Sequence, residues 1–169
     1  FDGMSCGQIA LERAGIKVDN YFASEIDKHA IQVTMHNYPN TIQLGDVRNI
    51  DLSMLPKIDL LIGGSPCQSF SFAGKREGMA TECNEEITTL EQYLKLKSEG
   101  FQFKGQSYLF WEYVYILKKI KPKYFLLENV KMTKHWKNVI DKTLGTEGVL
   151  INSSLVSAQS RSRLYWTSI

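Results

Sequence analysis

Short apolar runs rich in β-branched and aromatic residues alternate along the chain with segments of helical period, the pattern of α/β units. Runs of the first kind predict strands at residues 20–23, 41–44, 60–62, 124–127, 150–157 and 163–167. Between them, residues 8–13 read as a helix ended by Gly15, and 28–37 as one stopped before Pro39. Leu109, Tyr113, Ile116 and Ile120 recur at helical spacing, which predicts a helix over 108–120 with Ser107 as its N-cap and Pro122 beyond its end. A fourth helix is predicted over 134–144, between Thr133 and Gly145. Strands and helices alternating in this order predict a mostly parallel sheet flanked by helices.

Residues 70–106 carry no strand pattern and far exceed an ordinary connection, which marks them as a functional loop or an insertion, with 90–97 able to form a helix. No internal repeat, low-complexity tract or separating linker is evident. The chain has 169 residues, of which 43% are hydrophobic and 22% charged. That suits one folded domain with a core of its own and excludes a disordered, collagenous or coiled-coil chain. Twenty Lys and Arg against 18 Asp and Glu leave a net charge of +2, too weak to announce a nucleic-acid partner, so partners must be argued from sites. Three cysteines without a C-x-x-C pair argue against a disulfide framework or a four-ligand zinc site and fit a reducing compartment. Of these, Cys6 and Cys83 read as small buried hydrophobes. No run approaches the roughly 20 apolar residues of a membrane helix and no signal peptide is evident, so a cytoplasmic location is expected, and both ends read as cut. His29, His36 and His135 read as surface residues, and Lys118, Lys119, Lys121 and Lys123 as a solvated helix end and turn.

In open α/β sheets ligands bind beyond the carboxyl ends of the strands. Five groups fall there: the turn from Asp2 to Gly7, Glu25, Asp46, Cys67 and Glu128. The turn F-D-G-M-S-C-G lets the backbone approach a ligand at Gly3 and Gly7, just before a helix whose N-terminus offers free amides. Glu25 ends the next strand, where a carboxylate can take both hydroxyls of a ribose, and Asp46 ends the following one, where it could accept from an exocyclic amine. Together they point to a nucleoside-bearing cofactor. The structural alternative is a tight turn with Glu25 and Asp46 capping helices. The G-x-G-x-x-G fingerprint is absent, which counts against a nicotinamide or flavin enzyme. In I-G-G-S-P-C-Q-S-F-S a buried strand runs into two glycines, Pro66 and Cys67, a placement suited to a nucleophile that needs a nearby cation, a helix terminus or an activated electrophile. Glu128, in Y-F-L-L-E-N-V, ends another apolar strand, where a buried carboxyl can donate a proton or a hydrogen bond. Gln159, Arg161 and Arg163 alternate, which predicts that all three share one strand face.

The order of these motifs, F-D-G-M-S-C-G, S-E-I-D, G-D-V, G-G-S-P-C-Q-S-F-S, L-L-E-N-V and Q-S-R-S-R, resembles the DNA cytosine-5 methyltransferase family of bacteria and phages, from Phe1 to Ile169. The resemblance implies a Rossmann-like fold dependent on S-adenosylmethionine and a catalytic domain over residues 1–169, with a long catalytic loop in 70–106. It implies methyl transfer to C5 of a flipped-out cytosine through a covalent adduct between Cys67 and C6. Glu128 would act at N3, Arg163 at O2, and Arg161 in support of Glu128 or the Cys67 loop. The product would be S-adenosylhomocysteine, with no metal required. The cofactor site would comprise Phe1, Asp2, Gly3, Ser5, Cys6 and Gly7, with Glu25 on the ribose, Ile26, Asp46 and Val47 near adenine, and Pro66 and Leu109 lining the pocket. Gln68, Ser71, Lys75, Arg76 and Gln159 would contact double-stranded DNA. A monomer without membrane contact is expected, together with a cognate restriction endonuclease as a possible partner.

The chain departs from the family in reading G-M-S-C-G where the resemblance leads one to expect G-x-G-G, and in the length of the loop after Cys67; the family's target-recognition domain is expected to lie outside these residues. The competing readings are a transfer-RNA cytosine methyltransferase that shares these motifs, and a non-catalytic relative. The latter would be expected to have lost Cys67.

Overall fold

The structure, a computed structural model, describes residues 1–66 and 79–169. The single domain expected from the sequence divides into two compact units, Phe1–Leu55 and Pro56–Ile169.

In the first unit, α1 (Cys6–Arg13) is followed by β1 (Phe22–Ala23), α2 (Lys28–Asn37) and β2 (Ile42–Gln43), then by 3-10 turns at Val47–Asn49 and Leu52–Met54. The two strands are parallel, with Phe22 opposite Ile42 and Ala23 opposite Gln43, and α2 is the crossover between them. Both are half the predicted length. Asp27 starts α2 by accepting from the amides of His29 and Ala30 at 2.8 and 2.9 Å, the usual service of an N-cap carboxylate. The side chains buried in this unit are Ser5, Ala23, Thr34 and Thr41, so polar contacts carry much of its order.

The second unit holds β3 (Leu60–Gly63), α3 (Leu90–Ser98), α4 (Phe110–Ile120), β4 (Tyr124–Val130), α5 (Lys134–Leu144), β5 (Val149–Asn152) and β6 (Ser162–Thr167). Its four-stranded sheet has the order β3-β4-β6-β5. The α/β class is as expected, but the sheet is mixed: β3 and β4 are parallel, whereas β6 runs antiparallel to both β4 and β5. The reason is local. Asn152 accepts from the amides of Ser154 and Arg161 and donates to the Ser160 hydroxyl, closing a hairpin-like return in place of a helical crossover. The predicted strand over 150–157 accordingly stops at Asn152 and gives way to a 3-10 turn at Ser153–Leu155.

The helix predicted from residue 108 begins at Phe110, preceded by a 3-10 turn at Ser107–Leu109. Ser107 is therefore buried inside that turn and is not the cap. Within the segment read as a functional loop or an insertion, the helix expected over 90–97 is present as α3, and part of the segment is packed. Met79, Ile87, Leu90, Tyr93 and Leu96 are buried, and the Tyr93 hydroxyl and Lys97 ammonium both donate to the buried Glu112 carboxylate. Cys6 and Cys83 are exposed, not buried as expected, while the three histidines do lie at the surface.

Phe110, Trp111, Val114, Leu127, Ile140 and Trp166 lie in the core of the second unit. The Trp166 ring is fixed by its indole N–H, which donates to Asp141 at 2.6 Å, and the same carboxylate oxygen accepts from the Gly148 amide at 3.0 Å. A Cβ on Gly148 would lie 2.5 Å from the Trp166 ring, so the residue is glycine for space. Gly148→Ala is expected to lower unfolding free energy by about 1–3 kcal/mol, the usual cost of forcing a packed ring aside. Urea unfolding measures it, and an unchanged midpoint would contradict this packing.

Candidate active site

In the second unit the chemistry collects at the carboxyl end of β3. Pairing along β4 and β6 puts Tyr165 opposite Glu128 and Arg163 opposite Val130, so the period of two places Glu128, Val130, Arg163 and Tyr165 on one face. Leu127, Asn129, Leu164 and Trp166 occupy the other and are buried. Glu128 lies within β4, two residues before its end, not at its terminus. Its Oε1 forms an ion pair with the Arg163 guanidinium, 2.9 Å from Nε. Its Oε2 sits 3.3 Å from where a Cβ on Gly64 would stand. Gly64 thus lets the chain leaving β3 pass close to this carboxylate, three positions before Cys67.

Asn129 holds the same segment from the buried face. Its Nδ2 donates to the Ser65 carbonyl at 3.2 Å and the Ser65 hydroxyl at 3.1 Å, while its Oδ1 accepts from the Val130 amide. A fully buried amide satisfied in this way fixes the backbone it bonds. Sequence reasoning placed Asn129 in a motif but gave it no task. Its place in an apolar strand, on the face shared with Leu127, was the available signal.

Arg161 and Gln159 do not share a strand face with Arg163. Both precede β6, in the return closed by Asn152, and both are exposed. The Arg161 amide donates to Asn152 Oδ1 at 2.9 Å, and the Gln159 carbonyl accepts from the Ser153 hydroxyl. Pro66 and Leu109 are half-buried in this unit, Leu109 closing the 3-10 turn before α4. Cys67, Gln68, Ser71, Lys75 and Arg76 lie outside the described residues.

In the first unit, Gly3 and Ser5 both adopt left-handed backbone, at φ 61° and 59°. At Gly3 this costs nothing. At Ser5 it costs roughly 1–2 kcal/mol, a cost that glycine would avoid. Ser5 stands at the N-cap of α1 but gives it no side-chain cap; the amides of Cys6 and Gly7 have no intrahelical acceptor, whereas those of Gln8 and Ile9 donate to the Ser5 carbonyl. Beside them, the Glu25 carboxylate accepts from the amides of Gly3 at 2.9 Å, Ile26 at 2.8 Å and Asp27 at 3.0 Å. Burial pushes its pKa up, but these three donors, together with the charge of the Phe1 ammonium 3.5 Å away, outweigh that and hold it below the ordinary value of 4.5. An ionised acceptor next to uncapped helical amides is a donor and acceptor set suited to a ribose and a carboxylate, as S-adenosylmethionine carries. Glu25 does not cap α2, a task that falls to Asp27.

Asp46, by contrast, caps the turn at Val47–Asn49 through the Arg48 amide, and the Arg48 guanidinium binds both its oxygens. For this residue the capping alternative is realised, and an incoming amine would have to compete with Arg48. Ile26 is 64% exposed, and Phe1, Asp2 and Val47 are half-buried.

A model of the C-5 cytosine-specific DNA methylase family matches residues 1–169. The chain belongs to that family. It is 34% identical to the orphan methyltransferase M.SPRI of Bacillus phage SPR, over 98% of this chain and 35% of the relative. It is 31% identical to the type II methyltransferase M.NgoBV of Neisseria gonorrhoeae, over 99% of this chain and 39% of the relative. The chain thus spans between a third and two-fifths of these relatives. A solved structure of a protein encoded within an Escherichia coli prophage superposes with TM-score 0.66 over 99% of this chain and 44% of that one. At 20% identity that likeness bears on the fold alone, and it agrees with the Rossmann-like α/β architecture expected.

Because the folded carboxyl of Glu25 holds its proton less tightly than the unfolded one, its contribution to stability is full above about pH 4.5 and is lost as pH falls through the lower folded value. Glu25→Gln should therefore be less stable than the parent at neutral pH, with the gap closing well below pH 4.5. Urea midpoints across that range measure it, and a gap independent of pH would contradict the three-amide clamp.

Proposed function

We propose that the protein transfers a methyl group from S-adenosylmethionine to C5 of a cytosine in DNA, through a covalent adduct between Cys67 and C6. Membership of the cytosine methylase family supports the reaction class. The observation that carries the residue assignment is the position of Glu128, with one oxygen on Arg163 and the other against Gly64 on the approach to Cys67.

C5 of cytosine is a poor nucleophile until something adds at C6. In this reading the Cys67 thiolate adds there, and the electron pair moves toward C5 while negative charge grows at N3 and O2. Glu128, acting as the carboxylic acid, donates its proton in a hydrogen bond to N3 and Arg163 binds O2, so both act on charge that develops in the transition state. Arg161 supports this pair or the Cys67 segment. S-adenosylmethionine supplies the electrophilic methyl group. After transfer a base removes the C5 proton, the C6–sulfur bond breaks, and the thiolate is regenerated. The turn from Phe1 to Gly7 and Glu25 would hold the cofactor, with Glu25 on the ribose and Ile26, Asp46 and Val47 near adenine.

C6 is shielded inside a duplex, so the target base must leave the stack at a cost of a few kcal/mol. Gln68, Ser71, Lys75, Arg76 and Gln159 are assigned to DNA. Their basic members should make binding salt-sensitive.

Cys67→Ser is expected to abolish transfer of tritiated methyl groups to DNA, a loss of at least about a thousandfold, while S-adenosylmethionine binding stays within roughly twofold of the parent. Filter-bound radioactivity and calorimetry read the two quantities. Retained turnover would refute the covalent route.

A further inference from the structure

The first unit contains a polar network that the reaction above leaves without a task. The Tyr21 hydroxyl, at the entry to β1, donates to Asp2 Oδ1 at 2.7 Å. The other oxygen of Asp2 accepts from the Ser5 hydroxyl at 2.5 Å. Ser5 Oγ in turn accepts from Gln8 Nε2 at 3.2 Å, and the same amide donates to Thr41 Oγ1 at 2.8 Å, just before β2. Ser5 and Thr41 are buried. Among the described residues Asp2 forms no ion pair, so hydroxyl groups alone fix its orientation.

This network holds together the part of the turn that is strained. Ser5 sits in left-handed backbone that a residue with a Cβ rarely adopts. Two bonds to Asp2 keep it there, from its hydroxyl to the carboxylate and from its amide to the Asp2 carbonyl at 3.3 Å. The carboxylate can serve Ser5 only while its own rotamer is fixed, and Tyr21 fixes it from β1. We propose that Tyr21 is a positioning residue for the cofactor site: through Asp2 it locks Ser5, and with it the turn from Gly3 to Gly7, in the conformation that presents the amides of α1. Burial, reinforced by the hydrogen bond to Asp2 and its charge, pushes the Tyr21 phenol well above its ordinary value, so it remains a donor at any pH at which the protein is studied.

The inference rests on the reading that this turn binds S-adenosylmethionine, and the test separates the two. Calorimetric Kd for S-adenosylmethionine is measured for the parent, Tyr21→Phe, Ser5→Gly and the double variant, with Tm for each and with KM and kcat where methyl transfer is detected. Tyr21→Phe removes one hydrogen bond to a charged group and is expected to raise Kd and KM by roughly tenfold, with kcat at saturating cofactor within about twofold of the parent. In the Ser5→Gly background, where the lever is gone and the left-handed turn needs no support, the same change should raise Kd by less than about twofold.

An unchanged Kd in Tyr21→Phe beside a lower Tm would overturn the inference, as would equal losses in the two backgrounds. If the parent binds and Tyr21→Phe binds equally, the cofactor reading stands and only the role of Tyr21 falls. If the parent gives no heat with S-adenosylmethionine, the cofactor reading fails and takes the inference with it.

Discussion

The ion pair between Glu128 and Arg163 exists only because β6 returns antiparallel between β4 and β5. A parallel sixth strand would present its residues in the opposite order, and Arg163 would not fall beside Val130, one diagonal step from Glu128. The return depends in turn on Asn152, whose side chain closes the connection, and on Trp166, which anchors the far end of β6 through Asp141 and the space left by Gly148. The chemistry of the second unit is thus set by packing some distance away. At 19% and 35% side-chain exposure, the two charges remain open enough to meet a ligand and enclosed enough to matter to it.

The first unit solves a different problem with other means. With Ala23 its one buried apolar side chain, it relies on carboxylates to organise backbone. Glu25 gathers three amides, Asp27 caps α2, Asp46 caps the next turn, and Asp2 takes two hydroxyls. Glu25, Asp27 and Asp46 act on segments that follow a short strand, where an α/β fold places its ligand groups. Of the acids weighed in the sequence as structural caps, Asp46 takes that task and Glu25 does not. Asp46 is engaged mainly as a cap. Glu25 is an ionised acceptor beside uncapped helical amides.

The helices were the most legible elements. α2 and α5 have the bounds their periodicity predicts, because Pro39 and Gly145 act through backbone geometry that any context must respect. Strand ends were less legible. The apolar run beyond Asn152 continues the pattern of β5, yet Leu155 and Val156 are exposed, since a hydrogen-bonded turn overrode the periodicity. The same turn broke the alternation expected of Gln159, Arg161 and Arg163. Ser107 resembles an N-cap, but a 3-10 turn moved the helix start past it. Tyr21 was invisible as a functional residue because an aromatic at a strand entry reads as core, and nothing local shows that its hydroxyl reaches back to Asp2. Glu128, Arg163 and the turn from Gly3 to Gly7 stand out in the sequence by residue type and order, which a motif preserves, whereas the ion pair joining Glu128 to Arg163 appears only in the fold.

Formation of a bond between Cys67 and cytosine is the claim on which the functional account turns. Its most direct test is to incubate the protein with tritiated S-adenosylmethionine and duplex DNA containing 5-fluorocytosine, then to separate the products on a denaturing gel. Without a C5 proton to remove, the intermediate cannot resolve, so a labelled protein–DNA species that survives denaturation and vanishes in Cys67→Ser is the predicted result. Methylation of ordinary cytosine by a protein that leaves no such species on the fluorinated substrate would contradict the account.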